Sequence, residues 1–456
     1  MKEKKETDLG KDKLGMLLLK LALPAILAQI INVLYNMVDR MYIGHIPKAG
    51  PDALTGVGVT MPVIMAISAF AALVSMGGAP RASIMMGRKD HKQAEKILGN
   101  CTMMLIIMAV ILTGVFLIWG ENILLIFGAS EKTIGYALDY MKIYAMGTIF
   151  VQLALGLNAF INAQGFAKMG MLTVAIGAII NIILDPILIF QFSLGVKGAA
   201  LATIISQAIS SLWVIYFLTS KKSTLRIKIN NLKLDYKIIL PCLALGLSPF
   251  IMQFTESVIS VCFNTSLLKY GGDIAVGSMT ILTSVMQFSM LPLQGLTQGA
   301  QPIVSFNYGA NNIHRVKNTF KLLLKCSLSY SMLLWAIAVF IPDVFVYIFT
   351  NDSNLAEHTR WALRVYMAAS GIFGIQIACQ QTFIAIGNAK TSVFLAILRK
   401  IILLIPLIFI LPVFISNHTF AVFLAEPIAD TIAVSVTATL FYRTYKRLEV
   451  SDRHFE

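Results

Sequence analysis

Residues 98–119 read LGNCTMMLIIMAVILTGVFLIW, an unbroken run without a charge. As an α-helix, a run of that length reaches about 30 Å, the depth of a bilayer's hydrocarbon core. It does not alternate apolar with polar positions, as a strand of a membrane barrel would. Comparable runs recur outward from it in both directions. They fall at 15–44, 54–80, 98–119, 133–162, 166–193, 197–219, 239–269, 273–305, 318–345, 357–386, 391–415 and 418–442, about twelve spans in all. The composition agrees. Over 456 residues, 57% are hydrophobic and 13% charged, with a mean hydropathy of +0.76. A soluble chain of this size could not cover itself with so little polar surface.

The formal charge of +14 does not point to nucleic acid, because it sits in short connectors rather than on one basic face, and no motif for such binding accompanies it. Lys221, Lys222, Arg226, Lys228, Lys233 and Lys237 separate the sixth and seventh spans. Arg81, Arg88, Lys89, Lys92 and Lys96 follow the second, and Arg315 and Lys317 follow the eighth. Lys2, Lys4, Lys5, Lys11 and Lys13 lead the chain, and Arg443, Lys446 and Arg447 come after the last span. With an even number of spans all of these lie on one side, while loops such as Gly120-Glu121-Asn122 and Thr350-Asn351-Asp352-Ser353 lie on the other. The positive-inside rule then predicts cytoplasmic termini and a multi-pass protein of the bacterial inner (plasma) membrane. The polar start of the chain and the length of the first apolar run predict that this run stays as a span rather than being cleaved as a signal peptide.

The chain also repeats itself. Pro80 and Pro302, Gly87 and Gly309, and Tyr144 and Tyr366 all keep one offset. So do the turns Gly165-Phe-Ala-Lys168 and Gly387-Asn-Ala-Lys390. A constant offset over so long a stretch indicates an internal duplication. The expected organisation is a cytoplasmic segment at 1–14, a six-helix bundle at 15–219, a basic linker at 220–238, a second six-helix bundle at 239–442 and a tail at 443–456. The bundles should be related by a pseudo-two-fold along the membrane normal, with the transport path between them.

Polar groups inside spans are costly and usually line a cavity or find a partner. In the first span Tyr35 and Asp39 share a helix face, and in the fifth so do Asn181 and Asp185. Helix rise places these four roughly 8–18 Å below the outer surface, with Thr203 of the sixth span at a comparable depth. Two carboxylates, a phenol, an amide and a hydroxyl at one level suit a hard cation such as sodium, for which Asp39 and Asp185 would be the charged ligands. They equally suit a proton, which two crowded carboxylates can share. The plainer alternatives are a solvated Asp39 beside Arg40, and polarity near Asp185 that answers the carbonyl freed by Pro186.

In the other half, Glu256 lies in the seventh span with Gln253 nearby, and the sequence offers it no partner. It is the candidate for a cationic cargo or a proton, with Gln253, Met286 and Gln287 as further cargo-facing positions. Arg399 and Lys400 interrupt the eleventh span, while Glu426 and Asp430 lie four apart in the twelfth. Arg399 falls about 12 Å from the inner face and Glu426 about 12 Å from the outer one, which allows a structural ion pair. The 22 methionines and 27 phenylalanines can repack around varied hydrophobic ligands where they line a cleft.

Other classes fit poorly. The five cysteines, Cys101, Cys242, Cys262, Cys326 and Cys379, show no ligand spacing and read as small buried side chains. His45, His91, His314, His358, His418 and His454 stand near span ends or in loops, and no hydrolase, protease or nucleotide motif is present. The chain is therefore not expected to be an enzyme, and no cofactor is expected beyond a coupling ion.

The motifs resemble the multidrug and toxic compound extrusion (MATE) transporters, particularly the bacterial drug-exporter branch. The resemblance covers essentially every span. It rests on Tyr35-Asn-Met-Val-Asp39-Arg-Met-Tyr-Ile-Gly44, Asn181-Ile-Ile-Leu-Asp185-Pro-Ile-Leu-Ile-Phe190 and Gly198-Ala-Ala-Leu-Ala-Thr203. In the second half it rests on Gly299-Ala-Gln-Pro302 and Asn307-Tyr-Gly-Ala310. It implies an all-α membrane fold of two six-helix bundles forming a V, and alternating access by a monomer. It also implies export of amphipathic, often cationic small molecules in exchange for Na+ or H+. The cation site would fall at Tyr35, Asp39, Asn181, Asp185 and Thr203, and Glu256 matches an acidic position that some members use. Several relatives carry another acidic residue in the tenth helix, where this chain has Gln376-Ile-Ala-Cys-Gln-Gln381. The alternative reading is an exporter or flippase of a specific lipid-linked or metabolite cargo. A pyrophosphate-bearing cargo would call for a cationic cavity, whereas the charges within these spans are mostly acidic.

Overall fold

A computed structural model of the chain describes residues 8–47 and 49–453, with side chains to residue 448. Lys2, Lys4, Lys5 and His454 lie outside the described residues. Among those residues the chain is helical, with no strand.

Six spans come first: α1 (Leu14–Gly44), α2 (Gly50–Gly87), α3 (His91–Ile126), α4 (Ile134–Met146 with Thr148–Ala163), α5 (Ala167–Gln191) and α6 (Val196–Thr219). After a connection, a single 74-residue helical stretch runs from Tyr236 to Gly309. Its two ends both touch the last part of α2, because Gly77 abuts Cys242 and Gly87 abuts Phe306. The stretch therefore doubles back, and it does so at Gly272, whose φ of 65° and ψ of −162° no side chain favours. It forms two spans, α7 (236–271) and α8 (273–309). The rest are α9 (Ile313–Phe340), α10 (Ser353–Tyr366 with Ser370–Ala385), α11 (Ala389–Phe414) and α12 (His418–Arg453), with a short helix, Asp343–Phe349, before α10. Counted this way the described residues make twelve spans in two sets of six. Several exceed the lengths their apolar runs predict, α2 by four residues at its start and seven at its end.

The duplication is visible in the backbone. After α2, Lys89 takes a left-handed φ of 63° and Asp90 caps α3 by accepting from Gln93 N at 3.0 Å. After α8, Asn311 takes φ 57° and Asn312 caps α9 by accepting from Arg315 N at 3.1 Å. The two glycine turns match as well, with φ 90° at Gly165 and 80° at Gly387. Span α4 bends by 58° and α10 by 46°. Both π-helical segments fall in equivalent helices, Ile187–Gln191 in α5 and Leu398–Leu404 in α11.

Lipid tails provide no hydrophobic drive between helices, so close packing of small residues must join the bundles. At Gly87 and Gly309 the contact is reciprocal. A Cβ on Gly87 would collide with the Phe306 carbonyl, and one on Gly309 with the Ile84 carbonyl. The pseudo-two-fold axis passes through this crossing. Further along α2, Gly77 meets the Cys242 backbone and Gly246 meets that of Leu73. The equivalent pair places Gly299 against Ala22 and Gly295 against Ile26. Ser83 Oγ adds a hydrogen bond to the Pro302 carbonyl at 3.4 Å, and Phe70 packs on Phe250 with centroids 5.1 Å apart. These joints lie toward the end that bears the basic loops, so the bundles meet there and form a V.

Each bundle carries two apolar cores. One, near the basic end, centres on Phe160 and Cys101 in the first bundle and on Phe383 and Ile303 in the second. The other, toward the far end, centres on Phe116 and Ile43, and on Phe263 and Phe423. The connection between the bundles is strapped to the first. Gln164 Oε1 accepts from Leu225 N at 2.8 Å and from Ser223 Oγ at 3.0 Å. Glu95 pairs with Lys228, and Asn100 accepts from Asp235 N at 2.6 Å. Opposite, the Leu9 carbonyl accepts from Asn307 Nδ2 at 2.9 Å and Arg315 Nε at 3.1 Å, tying the start of the chain to the second bundle.

Candidate functional site

Helices α1 and α5 pack side by side, and that contact brings the expected residues of the first bundle together. Asp39, Asn181, Asp185 and Thr203 are all buried. Asn181 Nδ2 donates to Asp185 Oδ1 at 3.2 Å, as their shared helix face requires. The Asp39 and Asp185 carboxyls are direct neighbours, and Tyr35 lies within electrostatic range of both. Thr203 donates its hydroxyl to the Ala199 carbonyl at 3.0 Å and meets the Tyr140 hydroxyl.

Among the described residues, several oxygens of this cluster have no partner. Asp39 Oδ1, Asp185 Oδ2 and Asn181 Oδ1 are buried without a hydrogen bond. Arg40, next to Asp39, points outward and reaches Met61 Sδ instead, at 3.4 Å. A buried acceptor left unpaired costs roughly 1–3 kcal/mol, more when charged. All three such acceptors stand on two helices that pack together, α1 and α5. Among the described residues no three His, Cys, Asp or Glu side chains converge as a metal-holding group. Any ion here would take its other oxygens from amide, hydroxyl and phenol groups.

Two tyrosines belong to the cluster that sequence reasoning did not assign to it. Tyr140 and Tyr144 are buried on α4 and stack with ring centroids 6.0 Å apart. Tyr140 faces Asp39 and Tyr35, and Tyr144 faces Tyr35. Their four-residue spacing was a readable sign, and the Tyr144–Tyr366 repeat was another. Tyr366 occupies the matching place in the second bundle, against Glu256, Glu426 and Asp430.

The second bundle differs in one decisive way: its carboxylates have basic partners. Arg399 Nε lies 2.6 Å from Asp430 Oδ1, and Arg399 Nη2 lies 3.1 Å from Glu426 Oε1. The Arg399 guanidinium also sits 4.5 Å from the Phe373 ring centroid. Lys400 Nζ lies 2.7 Å from Glu256 Oε1. Glu256, for which the sequence offered no partner, therefore has one. The pairing is not visible in the sequence because Lys400 sits 144 positions away in the chain and only the rotation of α11 turns it inward. Gln253 is half-buried one turn before Glu256 on the same helix face. Met286 packs into the far-end core of the second bundle, whereas Gln287 beside it is exposed.

Twelve spans in two matching sets of six, with buried carboxylates where two of the helices pack, define a multi-pass membrane protein. The MatE family model matches the chain twice, over residues 24–187 and 249–410, once in each bundle. The chain belongs to the MatE family. It is 27% identical to "Multidrug export protein MepA" of Staphylococcus haemolyticus over 94% of this chain and 93% of that protein. It is 28% identical to the Staphylococcus aureus N315 protein of the same name, covering 86% and 85%. Among solved structures, "Crystal structure of MATE in the bent conformation" superposes with a TM-score of 0.92 at 21% identity, covering 99% of this chain and 100% of that one. "Outward-facing conformation of a multidrug resistance MATE family transporter of the MOP superfamily" does so with a TM-score of 0.87 at 22% identity, covering 98% and 100%.

Proposed function

We propose that the chain is a secondary active antiporter that exports amphipathic, often cationic compounds across the bacterial plasma membrane in exchange for Na+ or H+. The observation that carries this reading is the trio of buried, unpartnered oxygens on Asp39, Asn181 and Asp185. The multidrug-export names of the staphylococcal relatives support the class of cargo. The positive-inside rule orients the basic end and both termini toward the cytoplasm, so the first-bundle cluster faces the outer half of the membrane. The transporter works as a monomer.

In this mechanism a sodium ion or proton entering from outside neutralises Asp39 and Asp185. Tyr35, Tyr140 and Thr203 supply neutral oxygens around it, and Asn181 holds Asp185 in place. With the repulsion between the carboxylates removed, α1 and α5 repack and cargo affinity in the cleft falls. The ion drives this change only to the extent that it binds one arrangement better than the other. Cargo is held between the bundles with its positive group toward Glu256 and Gln253.

The test is efflux of a lipophilic cationic dye from proteoliposomes, with sodium and proton gradients imposed separately. Flux driven by one gradient is expected and names the ion. Absence of flux under either would overturn the reading in favour of a lipid-linked or metabolite cargo.

A further inference from the structure

We propose that Lys400 is a tethered cation, which occupies the Glu256 carboxylate until the positive group of a monovalent organic cation displaces it. The inference rests on the export reading above and identifies what a cargo must overcome to bind.

Three observations support it. First, the pair is lopsided. The Lys400 side chain is 6% exposed and that of Glu256 is 50% exposed. The ammonium lies behind the carboxylate, so a ligand can approach the open side of Glu256 without passing Lys400. Second, by formal charge the cluster is one positive group short. Arg399 and Lys400 face Glu256, Glu426 and Asp430, two bases against three carboxylates. One added monovalent cation would bring the five side chains to neutrality. Third, a displaced Lys400 has somewhere to go. Glu426 already lies within its electrostatic reach, so the ammonium can exchange one carboxylate for another without leaving the cluster.

The backbone makes this arrangement possible. Arg399 and Lys400 stand on the π-helical segment Leu398–Leu404. Its wider turn brings consecutive residues closer in angle than an α-helix would, and such segments are frequent at functional sites. Arg399 bonds to both Glu426 and Asp430 and cannot easily let go, whereas Lys400 is a compact ammonium on a flexible stem. Replacing one ammonium with another leaves the electrostatics of Glu256 nearly unchanged. Binding is then driven by burial of the cargo's apolar body and by the added positive charge. A neutral molecule of the same shape would have to leave the pair intact or break it without compensation, and either disfavours it. In the first bundle the acceptors Asp39 Oδ1, Asn181 Oδ1 and Asp185 Oδ2 stand unpaired instead.

The experiment is equilibrium binding of tetraphenylphosphonium to the full-length protein in lipid nanodiscs. Lys400→Met should tighten binding by roughly tenfold, since it removes the competitor and leaves the carboxylate. Adding Glu256→Gln should cancel that gain. Lys400→Gln, which keeps a hydrogen-bond donor, serves if the methionine variant does not fold, and should tighten binding in the same direction. Unchanged or weaker binding in the Lys400 variants, with weaker binding in Glu256→Gln alone, would overturn the tethered cation and leave Glu256 as a cargo contact. Unchanged binding in Glu256→Gln alone would overturn both. Gradient-driven flux through Asp39 and Asp185 is measured separately and does not depend on either result.

Discussion

Asp39 and Asp185 are two carboxylates that lie against each other without a base between them, while the second bundle's three carboxylates share two bases. Removing a charge should therefore act differently in each place. Asp39→Asn or Asp185→Asn is expected to abolish gradient-driven dye flux in proteoliposomes while the protein still inserts and purifies normally. Full flux in both variants would refute the coupling assignment. Arg399→Gln should instead damage the fold, because it strands Glu426 and Asp430 in a buried site. Breaking such a pair costs about 3–5 kcal/mol, visible as a lower thermal unfolding midpoint in detergent. Four of the five first-bundle residues could be read from the sequence because each pair sits on one helix at four-residue spacing, and Thr203 because its span places it at the same depth. Tyr140 and Tyr144 share that spacing, but an amphipathic phenol is ordinary in a membrane helix. Only the packing of α4 among α2, α3 and α6 reveals what they face.

At the level of helices, the apolar runs located every span to within a few residues on most edges. The turns at Gly165 and Gly387 were legible for the same local reason. Features that depend on neighbouring helices were not. The bends within α4 and α10 fall at Gly147 and Met367–Ala369, and neither stretch carries a proline to announce a break. The π-helical turns in α5 and α11 are likewise set by what the helices must present inward. The reciprocal crossing of Gly87 and Gly309 gives a test at this scale. Gly87→Val and Gly309→Val push a side chain into the same joint from opposite sides. Each should destabilise by about 1–3 kcal/mol, the usual range for overpacking, and the two should lower the unfolding midpoint by similar amounts. A large effect from one and none from the other would contradict the symmetric joint.

For the molecule as a whole, the duplication was legible because identical residues recur at one spacing, and the V follows from where the two copies touch. The difference in ion pairing between the copies was not, since it depends on which carboxylates find a base across space. Orientation is open to direct measurement. In a chain carrying Cys326→Ser, a membrane-impermeant maleimide added outside intact cells should label Ser353→Cys and spare Asn311→Cys, and broken cells should reverse the exclusion. Labelling of Asn311→Cys from outside would invert the topology. The strapped connection has a mechanical corollary. Because residues 223–235 are fastened to α3 and to Gln164, α7 starts from a fixed point beside the first bundle with almost no slack. A helix of its length reaches roughly 54 Å, so a tilt of about 10° carries its far end about 9 Å while the fastened end scarcely moves. The second bundle is thus held at its basic end by the connection together with the glycine joints, and any tilt about that end widens toward the mouth of the cleft.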